Sequence, residues 1–217
     1  AIQEINKSDL KYDIVVADEF KESQVSSYDN VIFVADGYER YEDSDRENVG
    51  KIDKGVFEEV LQCLQPSENV ASGATVYYKK KVYQSGYCYD KGLKNFIMPL
   101  YSGVPVKDPA YMNRLKFRQN VSLLGKGVFA IKSGTLLQYL QKSENKEELF
   151  SNEFYFALCL YIKGKAEKCV VSPLVPLKIC SKVKNTSIKK DFIEIRQKDL
   201  TYNANMNVFG KYYFLWK

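Results

Sequence analysis

The chain has 217 residues, 45% of them apolar and 27% charged, which excludes a disordered polymer and allows one α/β domain or two small ones. Its 32 basic and 27 acidic residues leave a formal charge of +5, scattered except at Lys79-Lys80-Lys81 and a looser stretch from Lys182 to Lys190. That distribution argues against a nucleic-acid partner and leaves anionic small molecules open. The absence of histidine removes Ser and Cys triads, imidazole bases and the usual zinc sites, so any chemistry must use carboxylates, lysines, tyrosines or a hard metal bound through oxygen.

Five cysteines, at positions 63, 88, 159, 169 and 180, have no CxxC spacing and an odd count, as expected for core thiols of a reducing, cytoplasmic compartment. No apolar run reaches the length of a membrane span and no secretory signal opens the sequence. A start at Ala1 suggests that an initiator methionine or a longer upstream segment precedes it.

In chain order, residues 13–20 (DIVVADEF) read as a short strand ending in acids, and 30–35 (NVIFVA) as a second. The second runs without polar alternation into Asp36-Gly37, the pattern of a strand covered on both faces. Asp36 is then delivered to a strand's carboxyl end, where open α/β sheets bind ligands, although Asp-Gly is also an ordinary turn signal. A polar loop rich in acids is expected over 38–48. Residues 54–64 carry Val56, Phe57, Val60, Leu61 and Leu64 at helical spacing, and Pro66 ends the helix. Asn69–Tyr78 (NVASGATVYY) reads as a strand, and 84–113, rich in Tyr, Gly and Pro without a sustained period, as a long binding loop.

Residues 121–131 (VSLLGKGVFAI) predict a strand pair or one kinked strand, with Gly125 and Gly127 as bends that let backbone approach a ligand. A helix is expected over 133–141, and a second over 153–163, capped by Ser151-Asn152 and apolar nearly all round. Glu153 falls in its first turn, where an acid also favours the helix dipole. Gly164 closes that helix, Cys169-Val170-Val171 reads as a short strand, and Pro173 and Pro176 are expected to break the chain. The tail ends in an aromatic strand over 212–216. No repeat or linker divides the sequence, so a single domain is expected over residues 1–217.

Two regions carry a resemblance to a known family. NVIFVADG, followed by a helix and the strand NVASGATVYY, resembles the strand of GT-A nucleotide-sugar glycosyltransferases that runs into their acidic metal-binding motif. The run from LLGKGVFAIKSGTLLQYL to SNEFYFALCLYIKGKAEKCVVSPLVPL is similar to their acceptor-side half. The resemblance covers residues 13–177. It implies an α/β, Rossmann-like domain with a central mixed sheet flanked by helices, residues 1–80 forming the nucleotide-binding half and 81–217 the acceptor-side half.

The resemblance further implies a nucleoside-diphosphate sugar donor and a carbohydrate or glycan acceptor. Asp36 would hold Mn2+ or Mg2+ and Glu153 would act as the general base. Asp18, Asp36, Gly37, Gly125 and Gly127 would line the donor site. The chain departs from the family pattern in offering one acid in Ala35-Asp36-Gly37, so a neighbour such as Glu39 would have to assist, and in having only 35 residues before Asp36. Lys79, Lys80 and Lys81 could grip phosphate or form a solvated face, and the tyrosines at 77, 78, 83, 87 and 89 could stack on a sugar or pack with a polar tip. Two alternatives accompany this reading. The segment from Asp36 to GATVYYKKK also resembles part of an RNA 2'-O-methyltransferase, with Lys79 or Lys80 catalytic. The third possibility is a non-catalytic interaction domain of a larger or viral polyprotein.

Overall fold

The computed structural model describes residues 25–41, 52–89, 97–142 and 151–179. The strand expected at 13–20, Asp18, and the basic and aromatic tail lie outside the described residues.

Nine strands and three helices are described. They are β1 (Asn30–Val34), β2 (Tyr38–Arg40), helix α1 (Lys54–Cys63), β3 (Asn69–Tyr78), β4 (Lys81–Gln84), β5 (Tyr87–Tyr89), β6 (Ile97–Pro99), β7 (Gln119–Val121), β8 (Val128–Lys132), α2 (Ser133–Lys142), α3 (Asn152–Gly164) and β9 (Lys168–Ile179). The main sheet has the order β1-β8-β3-β9-β2, with β4 also paired to β3 and β7 to β9. β3 and β9 are parallel and the other pairs antiparallel, so the protein is a mixed α/β fold built on a mixed sheet. Strands from both sides of residue 80 interleave in it.

The period-two alternation of β8 separates two apolar layers. Phe129 and Ile131 pack with Phe33, Ala71, Cys169 and the buried side of α3, whereas Val128 and Ala130 pack with Val76, Leu177 and α1 through Val56 and Val60. Each fully buried Val, Leu, Ile or Phe contributes about 1.5–3 kcal/mol by leaving water. Helix α1 begins where Asp53 accepts a hydrogen bond from the Val56 N–H at 3.2 Å, and Ser72 of β3 donates to the Val60 carbonyl at 2.7 Å. Small side chains in the middle of β3 are needed: a Cβ on Gly73 would lie 3.1 Å from the Val128 carbonyl oxygen. Ser151 caps α3 by accepting from Phe154 N–H at 3.1 Å, and α3 buries every residue from Phe154 to Leu160 as well as Ile162.

Five sequence expectations change here. The loop expected from residue 38 opens instead with β2, which pairs with β9. β1 sends Val31 and Phe33 to one layer and Ile32 to the other, yet it lies at the end of the described strand order, and its residues are mostly half-buried. A run without polar alternation therefore reflects contact with both layers, not a central position. β9 does not break at its prolines. Ser172 stands opposite Ala74 and Leu177 opposite Val76, so five steps of β9 match two of β3, and Pro173 and Pro176 fall in the bulge where the ladder is interrupted. The stretch 121–131 is not a hairpin, because β7 pairs with β9 while β8 lies between β1 and β3. Within 84–113 the chain forms the small β5–β6 pair, and Tyr111–Lys116 adds 3-10 turns.

Candidate functional site

Asp36 is exposed in the turn that links β1 to β2. Just before it, Ala35 N–H donates to the Gly127 carbonyl at 2.8 Å, which fastens the end of β1 to the segment entering β8. Gly37 has φ +79°, a left-handed conformation that a side chain would disfavour. The pair makes the turn, and the turn leaves the Asp36 side chain exposed. Glu39, the neighbour that would have to assist a metal, lies on β2 with its carboxylate 3.3 Å from Lys178 Nζ.

Gly127 has φ +136°, and a Cβ there would lie 3.2 Å from Leu177 and 3.6 Å from Tyr38. A Cβ on Gly125 would come within 2.7 Å of both Gln84 Oε1 and the Tyr87 ring. Gln84 in turn donates to the Lys126 carbonyl at 2.9 Å. The space beside each glycine is thus taken by protein side chains, and the close backbone approach serves packing between β2, β4, β5 and β8.

Several tyrosines meet around these glycines. Burial pushes the Tyr38 phenol up to about 12, and the nearby Tyr83 adds to the shift. Burial also raises Tyr87 and Tyr155, so these groups stay protonated near neutral pH and can donate or accept hydrogen bonds without acting as bases.

Glu153 stands in the first turn of α3, half-buried, next to the Ser151 cap. The rings of Phe154 and Tyr155 each lie 6.1 Å from the ring of Phe33, which precedes Asp36 by three residues. That aromatic contact packs the first turns of α3 on β1. Lys79 and Lys80 instead form the β3–β4 turn, with φ +48° and +60°, and Lys79 Nζ sits 5.4 Å from the Tyr78 ring centroid. Among the described residues, no three acids or thiols cluster as a metal site.

Sequence reasoning missed a second carboxylate centre. Glu59 of α1 accepts from Arg118 Nε at 2.6 Å and Nη2 at 2.7 Å, and from the buried Ser172 hydroxyl at 2.6 Å. Burial raises the Glu59 pKa, but the Arg118 and Ser172 hydrogen bonds and the guanidinium charge outweigh it, leaving the carboxyl below its ordinary 4.5. Burial, with the Glu59 charge adding, pushes the adjacent Cys63 thiol up to about 11, so it is inert as a nucleophile. Nothing in the sequence marked Glu59, since FEEV reads equally well as the wet side of a helix. On the opposite layer, Lys163 donates to Ser122 Oγ at 3.2 Å, and burial lowers its pKa.

No family model matches this chain, and no curated protein and no solved structure matches it either.

Proposed function

We propose that this domain is a GT-A-type glycosyltransferase, moving a sugar from a nucleoside diphosphate to an acceptor hydroxyl. The observation that carries the reading is the packing of Phe154 and Tyr155, the residues that follow Glu153 on α3, against Phe33, three residues before Asp36.

In this mechanism the acceptor hydroxyl loses its proton to Glu153 while its oxygen bonds to the sugar's anomeric carbon. The bond from that carbon to the diphosphate oxygen breaks, and the nucleoside diphosphate departs with the electron pair. Asp36 fits a role as the one protein ligand of Mn2+ or Mg2+, because its side chain is exposed at the strand end and hard cations accept a single carboxylate completed by phosphate and water oxygens. Bound there, the cation supplies neutralisation of the charge that builds on the leaving group. Glu39, the neighbour that would assist, would have to leave its pairing with Lys178 at 3.3 Å to join that set. Gly37 shapes the turn, and Gly125 and Gly127 hold β8 in place beside it.

The test is a melting-temperature screen of nucleotides and nucleotide sugars with and without Mn2+, followed by single-turnover transfer to simple glycosides. A ligand that binds the folded state alone raises the melting temperature. Stabilisation by one nucleoside-diphosphate sugar, dependent on Mn2+ and lost in Asp36→Asn, is the expected result. Stabilisation by S-adenosylmethionine in its place would assign the methyl-transfer reading, and no response to either class would assign a binding module.

A further inference from the structure

Four of the five exposed large apolar side chains among the described residues belong to one corner of the molecule. Tyr111, Met112 and Phe117 are 66%, 69% and 62% exposed, and Leu174 on the β9 bulge is 56% exposed. The fifth, Val34, is on β1. Arg118, which follows Phe117, and Ser172, two residues before Leu174, meet on the Glu59 carboxylate, which brings Phe117 beside the bulge.

Glu59 holds that alignment. Its carboxylate receives Arg118, the residue after Phe117, and the Ser172 hydroxyl, while Ser172 Oγ also accepts the Leu174 N–H at 3.2 Å. Beneath the turn, Leu115 is buried with Tyr77, Val82 and Tyr101, and the Tyr101 hydroxyl bonds Gln119 Oε1 at 2.8 Å. The tips are thus held on a built foundation. Ala110, Met112 and Asn113 also keep left-handed backbone, with φ +60°, +55° and +56°. Non-glycine residues held in that region store strain, of order 1–3 kcal/mol each in sparsely populated conformations, and persist only when the surroundings over-determine them.

The charge around these tips is net positive. Lys107 and Lys116 are exposed and Arg114 is half-buried, whereas Asp108, the acid of this turn, accepts the Ala110 N–H at 2.8 Å. Apolar prongs ringed by cations match the boundary of an anionic bilayer, where side chains enter the acyl edge and cations meet headgroups. Tyr111 and Phe117 have flat faces, but Met112, the most exposed tip, and Leu174 have none to stack on a sugar or a base, which favours insertion among acyl chains over a stacking platform. No described helix is long and apolar enough to cross a membrane.

We propose that this corner docks on an anionic lipid surface, inserting Tyr111, Met112, Phe117 and Leu174 while Lys107 and Lys116 face the headgroups. The proposal is independent of the sugar-transfer reading and needs no activity to test. The full chain is floated with vesicles of phosphatidylcholine alone or with roughly one-third phosphatidylserine, at low and high salt. The expected result is binding to the anionic vesicles, weakened by salt.

Met112→Ser with Phe117→Ser should reduce that binding at least tenfold with the melting temperature kept, and Lys107→Gln with Lys116→Gln by about fivefold per lysine. Val34→Ser, the exposed apolar residue outside the corner, should leave it unchanged. Failure to float overturns the proposal, as does equal binding of the Met112/Phe117 variant. A self-association in sedimentation velocity that the same two substitutions abolish would assign the corner to a second copy of the chain instead.

Discussion

The two carboxylate regions of this protein differ in what the fold has done with them. Glu59 is enclosed, with both oxygens engaged by Arg118 and one shared with Ser172, and it joins α1, the entry to β7 and the bulge of β9. Asp36 is exposed on a glycine turn and Glu153 half-buried at a helix start, and neither enters an ion pair among the described residues. An acid already satisfied by a fixed guanidinium serves architecture, since a ligand would have to displace that partner. An acid presented at a strand end without such a partner retains its capacity for a cation or a proton.

If that division is right, substitutions in the two regions should separate function from stability. The largest expected effect is on transfer: Glu153→Gln keeps donor-dependent stabilisation but slows single-turnover transfer by about 10²–10⁴-fold, the usual worth of a general base. Measurable loss of folding instead of transfer in that variant would make Glu153 a helix-dipole acid. Glu59→Gln should do the reverse, lowering unfolding free energy in urea by about 1–3 kcal/mol and leaving nucleotide binding intact. A fully buried broken pair costs more, about 3–5 kcal/mol, but the Arg118 side chain is 38% exposed, so solvent screens the loss.

Gly127→Ala should cost about 1–3 kcal/mol in the same urea experiment, because it forces a side chain into φ +136° against Leu177. The smallest effect is on pH dependence. The Glu59 carboxyl lies below its ordinary 4.5 in the folded protein, so its contribution is complete above that value and drains away as pH falls through the lower folded one. Melting curves taken from pH 6 downward should therefore show a flatter acid limb for Glu59→Gln than for the parent below about pH 4.5. An identical limb would mean that Arg118 does not hold the carboxylate in solution.

What the sequence disclosed follows from how local each signal is. The bounds of β3 and the apolar side of α1 were legible because β-branched and aromatic residues bounded by Pro66 and Lys79-Lys80, and a 3.6-residue spacing, are properties of neighbours in the chain. The cap of α3 was legible within one residue for the same reason, with Ser151 doing the capping and Asn152 opening the helix. The passage of β9 through two prolines was not, since it depends on a mismatch of register with β3 that lies 100 residues away. The β3–β4 turn also escaped, because Lys79 and Lys80 adopt left-handed backbone without the Asn or Gly that normally announces it. Of the candidate site, Asp36 and Glu153 could be named from their positions beside strand and helix ends. The Glu59–Arg118 pair could not, as its members are 59 residues apart and each looks like an ordinary surface charge.

The most direct test of the central claim is the melting temperature of the full chain against nucleoside-diphosphate sugars, with and without Mn2+, in the parent, Asp36→Asn and Glu59→Gln. At a ligand concentration a hundred times the dissociation constant, the folded state gains about 2.7 kcal/mol, a shift of several degrees. The account predicts that shift for the parent and for Glu59→Gln, and its loss in Asp36→Asn. A parent protein that responds to none of these ligands, or an Asp36→Asn variant that responds as the parent does, would contradict it.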